Sequence, residues 1–167
     1  LQLTAQSSVD FTDSLIFLGN PAKSIYAHEE EIYARNTWDL AWLNDHLLIA
    51  SGNSSNHGPA PNAGPVHLLT YDVSSKSFQK SFKFDEEQIN AFLILNDTLF
   101  IAGHDAHEES WDFGNYYTFS DSKWTKHRNI PGGLHVYDMA YHDGSYFTVL
   151  GTTGRAPSIF MADAAKG

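Results

Sequence analysis

The sequence predicts an all-β protein, for three reasons. Short apolar runs that alternate with polar residues recur along the chain, turn dipeptides of Asn, Asp and Gly separate them, and no segment shows the periodicity of a long helix. Hydrophobic residues make up 42% of the 167 residues and aromatic residues 14%, which is the composition of a folded domain with a core.

Three stretches of the chain align without gaps, and each is predicted to be the first strand of a unit. They are WDLAWLND (38–45), NAFLILND (90–97) and YDMAYHDG (137–144). Each ends in a dipeptide that tolerates the positive φ of a two-residue hairpin turn. A second strand follows each turn (HLLIAS, TLFIAG, SYFTVL), and a third follows a polar segment (VHLLTYD, GNYYTFS, PSIFMAD).

The spacing of these units predicts a β-propeller. A fourth strand follows in the first two units, SFQKSFKF (77–84) and KWTKHRNI (123–130), and the units begin 52 and then 47 residues apart. Units of about 50 residues with four antiparallel strands are typical of propeller blades. The predicted fold class is therefore all-β, a partial β-propeller of about three four-stranded antiparallel blades.

The units divide the chain into a single arc of blades. Residues 1–30 are an N-terminal segment in which SLIFLG (14–19) is a possible outer strand, 31–84 are the first blade, 85–130 the second, and 131–167 an incomplete third. Propellers typically close with four to eight blades. We therefore expect the arc to be a fragment of a longer propeller, with further blades or further chains completing the ring.

The charge balance excludes two classes of partner. The chain has 20 Asp and Glu against 10 Lys and Arg, a net charge of −10. Nucleic acids and anionic membrane surfaces are bound by clustered cations, so the sequence predicts neither. There is no cysteine for thiol or disulfide chemistry. No apolar run approaches the roughly 18 residues that span a bilayer.

The predicted segments between the second and third strands are long in all three units, whereas the hairpin turns are short. They cover about residues 51–65, 103–114 and 151–157. In a propeller these segments and the connections between blades share one face, at the mouth of the central channel. We therefore expect an unknown ligand or protein partner to bind on this face.

The candidate ligand-binding residues are the polar and aromatic side chains of this face. Amide, hydroxyl and imidazole groups can hydrogen-bond to a sugar or peptide, and a Trp can stack on a sugar ring. The candidates are Asn53, Ser55, Asn56, His57, His104, Asp105, Trp111, His135 and Arg155. A core position is the alternative for Trp111, because a Trp beside a strand usually packs inward.

The segment GHDAHEESWDFGN (103–115) contains candidate ligands for a divalent metal such as zinc. These are His104, Asp105, His107 and Glu108. Their spacing matches no helix-borne zinc motif, so the sequence favours no cofactor and a solvated, hydrogen-bonding loop, with a metal site as the alternative. In such a loop, replacing His104 would leave the melting temperature almost unchanged.

Asp39 and Asp138 occupy the same position in the first and third units, where the second has Ala91. A pair of carboxylates across the channel could hydrolyse a glycoside. The interpretation we favour is that each accepts hydrogen bonds from backbone amides of a neighbouring blade. No nucleophile elbow and no phosphate-binding glycine loop is found in the sequence.

Together, several of these segments resemble a known group of proteins. YARNTWDLAWLND, IAGHD, WDFGNYY, IPGGLHVYDMA and DGSYF are similar to segments of bacterial-type secreted β-propellers, largely uncharacterised and related to the kelch and Asp-box propellers. MADAAKG (161–167) matches the Asp-box pattern S-x-D-x-G-x-T-W in part, with Asp163 in place and Ala165 in the position of the glycine. The resemblance implies a propeller fold and an extracellular or periplasmic location, and it transfers no catalytic residue.

The function we expect is that of a non-catalytic binding or scaffold module that uses the long loops of one face. One alternative is a carbohydrate-active hydrolase or lyase on a propeller scaffold, with Asp39 and Asp138 as its catalytic candidates. Another is a structural subunit of a larger assembly, in which open blades are buried against other chains.

Overall fold

Strands dominate the part of the chain that the computed structural model describes, which is residues 12–28, 36–52, 65–106, 110, 112–151 and 156–165. Within these ranges there are eleven strands, one short helix, α1 (Pro21–Ile25), and one 3-10 turn (Thr12–Ser14). The predicted all-β class is confirmed. No helix in these ranges is both long and apolar enough to cross a bilayer.

The strands form three antiparallel sheets of four, four and three strands, and each strand pairs with its neighbours in sequence. The first sheet contains β1 (Asn36–Leu43), β2 (His46–Gly52), β3 (Val66–Asp72) and β4 (Ser77–Phe84). The second contains β5 (Phe92–Leu95), β6 (Thr98–Ala102), β7 (Phe113–Ser120) and β8 (Lys123–Pro131). The third contains β9 (His135–His142), β10 (Ser145–Gly151) and β11 (Ser158–Asp163).

The tight turns predicted between the first and second strands of each unit are present in all three sheets. Both central residues have positive φ in the pairs Asn44–Asp45, Asn96–Asp97 and Asp143–Gly144, with values from 46° to 77°. Two successive positive φ angles make a type I′ turn, whose twist matches that of the flanking strands. Asn, Asp and Gly adopt this conformation at the lowest cost, so these dipeptides set where each hairpin turns.

Residues 14–19, predicted as a possible outer strand, do not form a strand in the structure. The side chains of Leu15, Ile16 and Phe17 are 79%, 81% and 88% exposed, and Leu18 is 52% exposed. This apolar run therefore lies beside the sheets rather than within one.

Helix α1 was not predicted from the sequence. The Asn20 side chain caps it by accepting a hydrogen bond from the backbone N–H of Lys23 at 2.9 Å, and Pro21 occupies its first position. The helix covers part of the outer face of the first sheet. The buried side chains there are Ala22, Tyr26, Ile49, Leu69 and Tyr71.

The three sheets pack face to face in series. The core between the first and second sheets includes Leu48, Leu68, Phe84, Leu99 and Ile101. A smaller core between the second and third sheets consists of Ala102, Ile130, Val136 and Leu150. Burying one such large side chain contributes about 1.5–3 kcal/mol, so the apolar contacts between sheets are a main source of stability.

Gly52, at the end of β2, lies in direct contact with the connection between β4 and β5. A β-carbon at this position would lie 1.9 Å from Cβ and 2.5 Å from Cα of Gln88. These atoms belong to, or lie next to, the backbone and cannot turn aside. Only glycine therefore allows the second sheet to approach the first so closely at this point.

Replacing Gly52 is expected to destabilise the protein strongly. The added methyl group of Gly52→Ala must push the backbone near Gln88 away, so we expect a loss of about 2 kcal/mol or more in the free energy of unfolding, measured by urea denaturation. The matched control is Ser51→Ala. The buried Ser51 Oγ has no hydrogen-bond partner in the described ranges, so its removal should be nearly neutral. Similar small effects of both changes would contradict the close approach at Gly52.

Candidate functional site

The three sheets are joined along one line of backbone contacts, which we call the bridge row. It comprises residues 51–52, 86–90, 103–105 and 134–136. Isolated β-bridges run from Gly52 to Gln88, on to His104, and finally to His135. The last residue of β2 therefore lies beside the connection β4–β5, and the residues directly after β6 lie beside the connections β4–β5 and β8–β9.

Backbone hydrogen bonds fix the geometry of the bridge row. The N–H of Glu87 donates to the carbonyl of His104 at 2.9 Å, and the N–H of Val136 donates to the carbonyl of Gly103 at 2.9 Å. These bonds satisfy polar backbone groups where the regular ladders end. They also bring the side chains of residues 86–90 and 103–105 together in a partly buried setting.

His104 lies at the centre of the row and is only 9% exposed. The side-chain amide of Asn90 donates to His104 Nδ1 at 3.1 Å, which places the ring proton on Nε2. Gln88 Nε2 in turn donates to Asn90 Oδ1 at 2.7 Å. Burial and the neighbouring His135 lower the pKa of His104 to about 3, so its ring is neutral at physiological pH.

The rings of two further residues surround His104. His135 stacks on it, with ring centroids 4.3 Å apart and an angle of 16° between the planes. Tyr137 meets it edge-on at 5.4 Å. The side chain of His135 is 28% exposed and Tyr137 is 42% exposed, so these two rings form the accessible surface above a buried His104. We call the three rings the ring shelf.

A pair of carboxyl groups lies beside the ring shelf. Burial, the negative charge of Asp105 and a hydrogen bond between the two side chains raise the pKa of Glu87 to about 7. His135 Nε2 lies 3.5 Å from Asp105 Oδ2 on the other side. Because two adjacent carboxylates repel each other, Glu87 keeps its proton up to near-neutral pH.

Glu86 belongs to the bridge row, and it is only 1% exposed. Its Oε1 accepts hydrogen bonds from Asn115 Nδ2 at 2.8 Å and from the Tyr117 hydroxyl at 2.9 Å. Burial is the main cause that raises the pKa of Glu86 to about 7. A β-carbon at Gly103 would lie 2.9 Å from Glu86 Cδ, so that glycine makes room for the buried carboxyl group.

Three of the predicted ligand-binding residues, His104, Asp105 and His135, are brought together in this site. The solvated loop predicted for residues 103–115 is wrong at His104, because the bridges to the neighbouring sheets bury its ring. The remaining candidates lie outside the described residues: Asn53, Ser55, Asn56, His57, Trp111 and Arg155.

The metal alternative gains no support from the side chains that the structure describes. Among them, no group of three or more His, Asp or Glu residues is placed to hold a metal ion. Two of the four candidate ligands, His107 and Glu108, lie outside the described residues. Of the other two, His104 has its Nδ1 occupied by the amide of Asn90.

The two repeated aspartates bind backbone amides. Asp39 accepts from its neighbour Leu40 at 2.8 Å and, through its second oxygen, from Phe92 of the second sheet at 2.9 Å. The favoured interpretation of a carboxylate serving the neighbouring unit therefore holds for Asp39. Asp138 accepts from Met139 of its own strand at 2.7 Å.

Sequence reasoning missed the residues 86–90 as part of the site. They read EEQIN and were assigned only to the start of the second unit. Their position in the repeat could have indicated this, because a polar connection directly before the first strand of one unit is expected to contact the preceding unit. Which side chains this contact would bury depends on the packing of the sheets, and no local pattern shows that.

Comparisons of the chain with known protein families and with curated proteins find no family and no relative that matches it.

The buried Glu86 is expected to make stability depend on pH. Its pKa is raised from 4.5 to about 7, so the folded protein holds a proton that the unfolded chain releases. Its contribution is complete below pH 4.5 and is lost as pH rises towards 7, by up to about 3 kcal/mol. Glu86→Gln keeps the hydrogen bonds and removes this loss.

Urea denaturation at pH 5 and pH 8 measures the effect. We expect the difference in unfolding free energy between the two pH values to shrink in Glu86→Gln relative to the unchanged protein. Glu87, whose pKa is also raised to about 7, and His104, whose lowered pKa acts in the opposite direction, are present in both proteins and cancel in the comparison. The exposed turn residue in Asp121→Asn is the control. An unchanged pH dependence in Glu86→Gln would show that this carboxyl group is not buried in its neutral form.

Proposed function

We propose that the protein is a non-catalytic binding module, an arc of β-propeller blades that binds its ligand at the face of the bridge row. The observation that carries the proposal is the ring shelf: two accessible rings, His135 and Tyr137, held in place over a buried, neutral His104. Side chains that are held in place before binding lose less conformational entropy when a ligand binds.

The arrangement of strands supports the propeller. In all three sheets the order of the strands in space follows their order in the chain. Consecutive sheets pack face to face through apolar cores. Four-stranded units of this kind, repeated around an axis, are the blades of propellers. The long segments and inter-sheet connections would then share the face on which propeller ligands commonly bind.

The chemistry of the shelf suits a hydroxyl-rich or amide-rich ligand. The His135 imidazole and the Asp105 carboxyl group, whose side chains are 28% and 13% exposed, offer a ligand hydrogen-bonding groups. Tyr137 adds an exposed aromatic ring on which the apolar face of a sugar or a peptide side chain can pack. We therefore propose a carbohydrate or a polar peptide as the ligand, at an extracellular or periplasmic location.

A second candidate function, hydrolysis of a carbohydrate, is favoured by one observation. Glu87 has a pKa raised to about 7 next to Asp105, as general acids in enzymes often have. The candidates for this activity are then Glu87 and Asp105. The carboxylates named from the sequence, Asp39 and Asp138, accept hydrogen bonds from backbone amides.

A panel of oligosaccharides and short peptides on an array tests the binding proposal, and titration calorimetry measures any hit. We expect Tyr137→Ala to weaken binding of the hit about tenfold or more, because an exposed ring at the centre of a site is a typical hot spot. Tyr141→Ala is the matched control: it removes a second exposed tyrosine, 38% exposed, from the other end of the same strand.

Two results would contradict the binding proposal. The first is an equal effect of Tyr137→Ala and Tyr141→Ala on the affinity. The second is cleavage of an oligosaccharide, detected by chromatography, that is abolished in Glu87→Gln. That result would establish the hydrolase instead.

A further inference from the structure

The third sheet ends at β11, and no strand of the described chain pairs with the outer edge of β11. In the first and second sheets a fourth strand, β4 or β8, lies at the corresponding place. The edge of a sheet presents backbone N–H and C=O groups that can pair with a strand from elsewhere.

The space beside β11 is larger than the space at the corresponding place between the other sheets. Between the first and second sheets, Trp124 of β8 lies in the gap, with ring centroids 5.0 Å from both Phe82 and Phe84. The cleft that remains there is about 330 Å³. Between the second and third sheets a cavity of about 490 Å³ adjoins β11. Its lining includes Tyr116, His127, Met139, Tyr146 and Phe160.

Residues 15–18 have the properties of a strand that would fill this place. They read LIFL, and each side chain is more than half exposed, from 52% to 88%. Large apolar and aromatic residues favour strands. In an extended segment the side chains alternate, so Leu15 and Phe17 would point to one side, and Ile16 and Leu18 to the other. One pair would then enter the cavity.

A second copy of the chain is the source that the fold favours. Residues 15–18 precede Gly19 and helix α1, which lie at the outer face of the first sheet: α1 packs there, and a β-carbon at Gly19 would lie 3.1 Å from the ring of Phe78. Strand β11 belongs to the third sheet, at the other end of the series. The segment and the edge therefore lie at opposite ends of one molecule, in the positions needed to join two molecules head to tail.

We propose that residues 15–18 of one copy pair with the outer edge of β11 in a second copy, as the fourth strand of its third sheet. Each copy has one such segment and one such edge, so two copies that exchange segments satisfy both.

The same contact would cover two further apolar surfaces. Val149, Ile159 and Met161 of the third sheet are 38%, 74% and 67% exposed. At the other end of the series, Leu40 and Trp42 of β1 are 56% and 54% exposed. Exposed apolar side chains grouped in this way mark a contact surface. This inference is independent of the ligand proposed for the bridge row.

Two variant proteins with one cysteine each test the pairing, because the chain has no cysteine of its own. Ile16→Cys and Phe17→Cys place the thiol on either side of the proposed strand, and each is mixed with Met161→Cys under oxidising conditions. We expect at least one mixture to form a disulfide between the two different proteins, identified by mass spectrometry of its peptides. Ser74→Cys, in the exposed β3–β4 turn, replaces Met161→Cys as the control and should form none.

Light scattering gives a second measurement, on the chain without cysteines. We expect twice the 18.6 kDa mass of the chain at micromolar concentration. A variant with Ile16→Lys and Phe17→Lys should be a folded monomer, because both side chains are more than four-fifths exposed in one copy. It should also yield no crosslink.

Three results would overturn the proposal. The unchanged chain could be a monomer at all concentrations. The dimer could persist in the double lysine variant, which would assign it to another surface. A single chain carrying both Phe17→Cys and Met161→Cys could close on itself as a monomeric disulfide, which would place the strand in its own third sheet.

Discussion

The close contact between the end of one sheet and the connection into the next is the constraint on which the rest of the structure depends. At Gly52 there is no room for a β-carbon beside Gln88, and the β-bridges continue from there to His104 and His135. Polar backbone groups at strand ends must find partners. Here the backbone groups at the strand ends pair with the neighbouring sheet. The polar side chains of the same residues are therefore brought together along the bridge row.

Burying these polar side chains costs free energy, which the apolar cores between the sheets offset. Glu86 and Glu87 are nearly inaccessible, and both have pKa values raised to about 7 by burial. Glu86 accepts hydrogen bonds from an amide and a phenol, those of Asn115 and Tyr117. A buried carboxyl group costs least in its neutral form. Between about pH 3 and pH 7, Glu86 and His104 are thus held in their uncharged forms within the site.

The sequence predicted the features that depend on neighbouring residues and missed those that depend on packing. Dipeptides such as Asn44–Asp45 fix a turn by their own backbone preferences, so the hairpins were predictable. Helix α1 has a cap at Asn20 and Pro21, but it is five residues long and shows no periodicity. The sequence predicts a solvated loop at His104. This is wrong because contacts with two other sheets bury the ring, and none of those contacts is local in sequence.

The repeated aspartates show why the outer face of the third sheet resembles an interface. In the first sheet Asp39 pairs across the strands with Ala50, which is fully buried, and Asp39 also accepts the amide of Phe92 from the second sheet. In the third sheet Asp138 holds the same place opposite Val149, which is 38% exposed. An aspartate opposite an apolar side chain thus occurs in both sheets. In the first sheet, the face that carries this pair contacts the second sheet. A face built of the same elements has the same physical requirement: burial of its apolar side chains against another sheet.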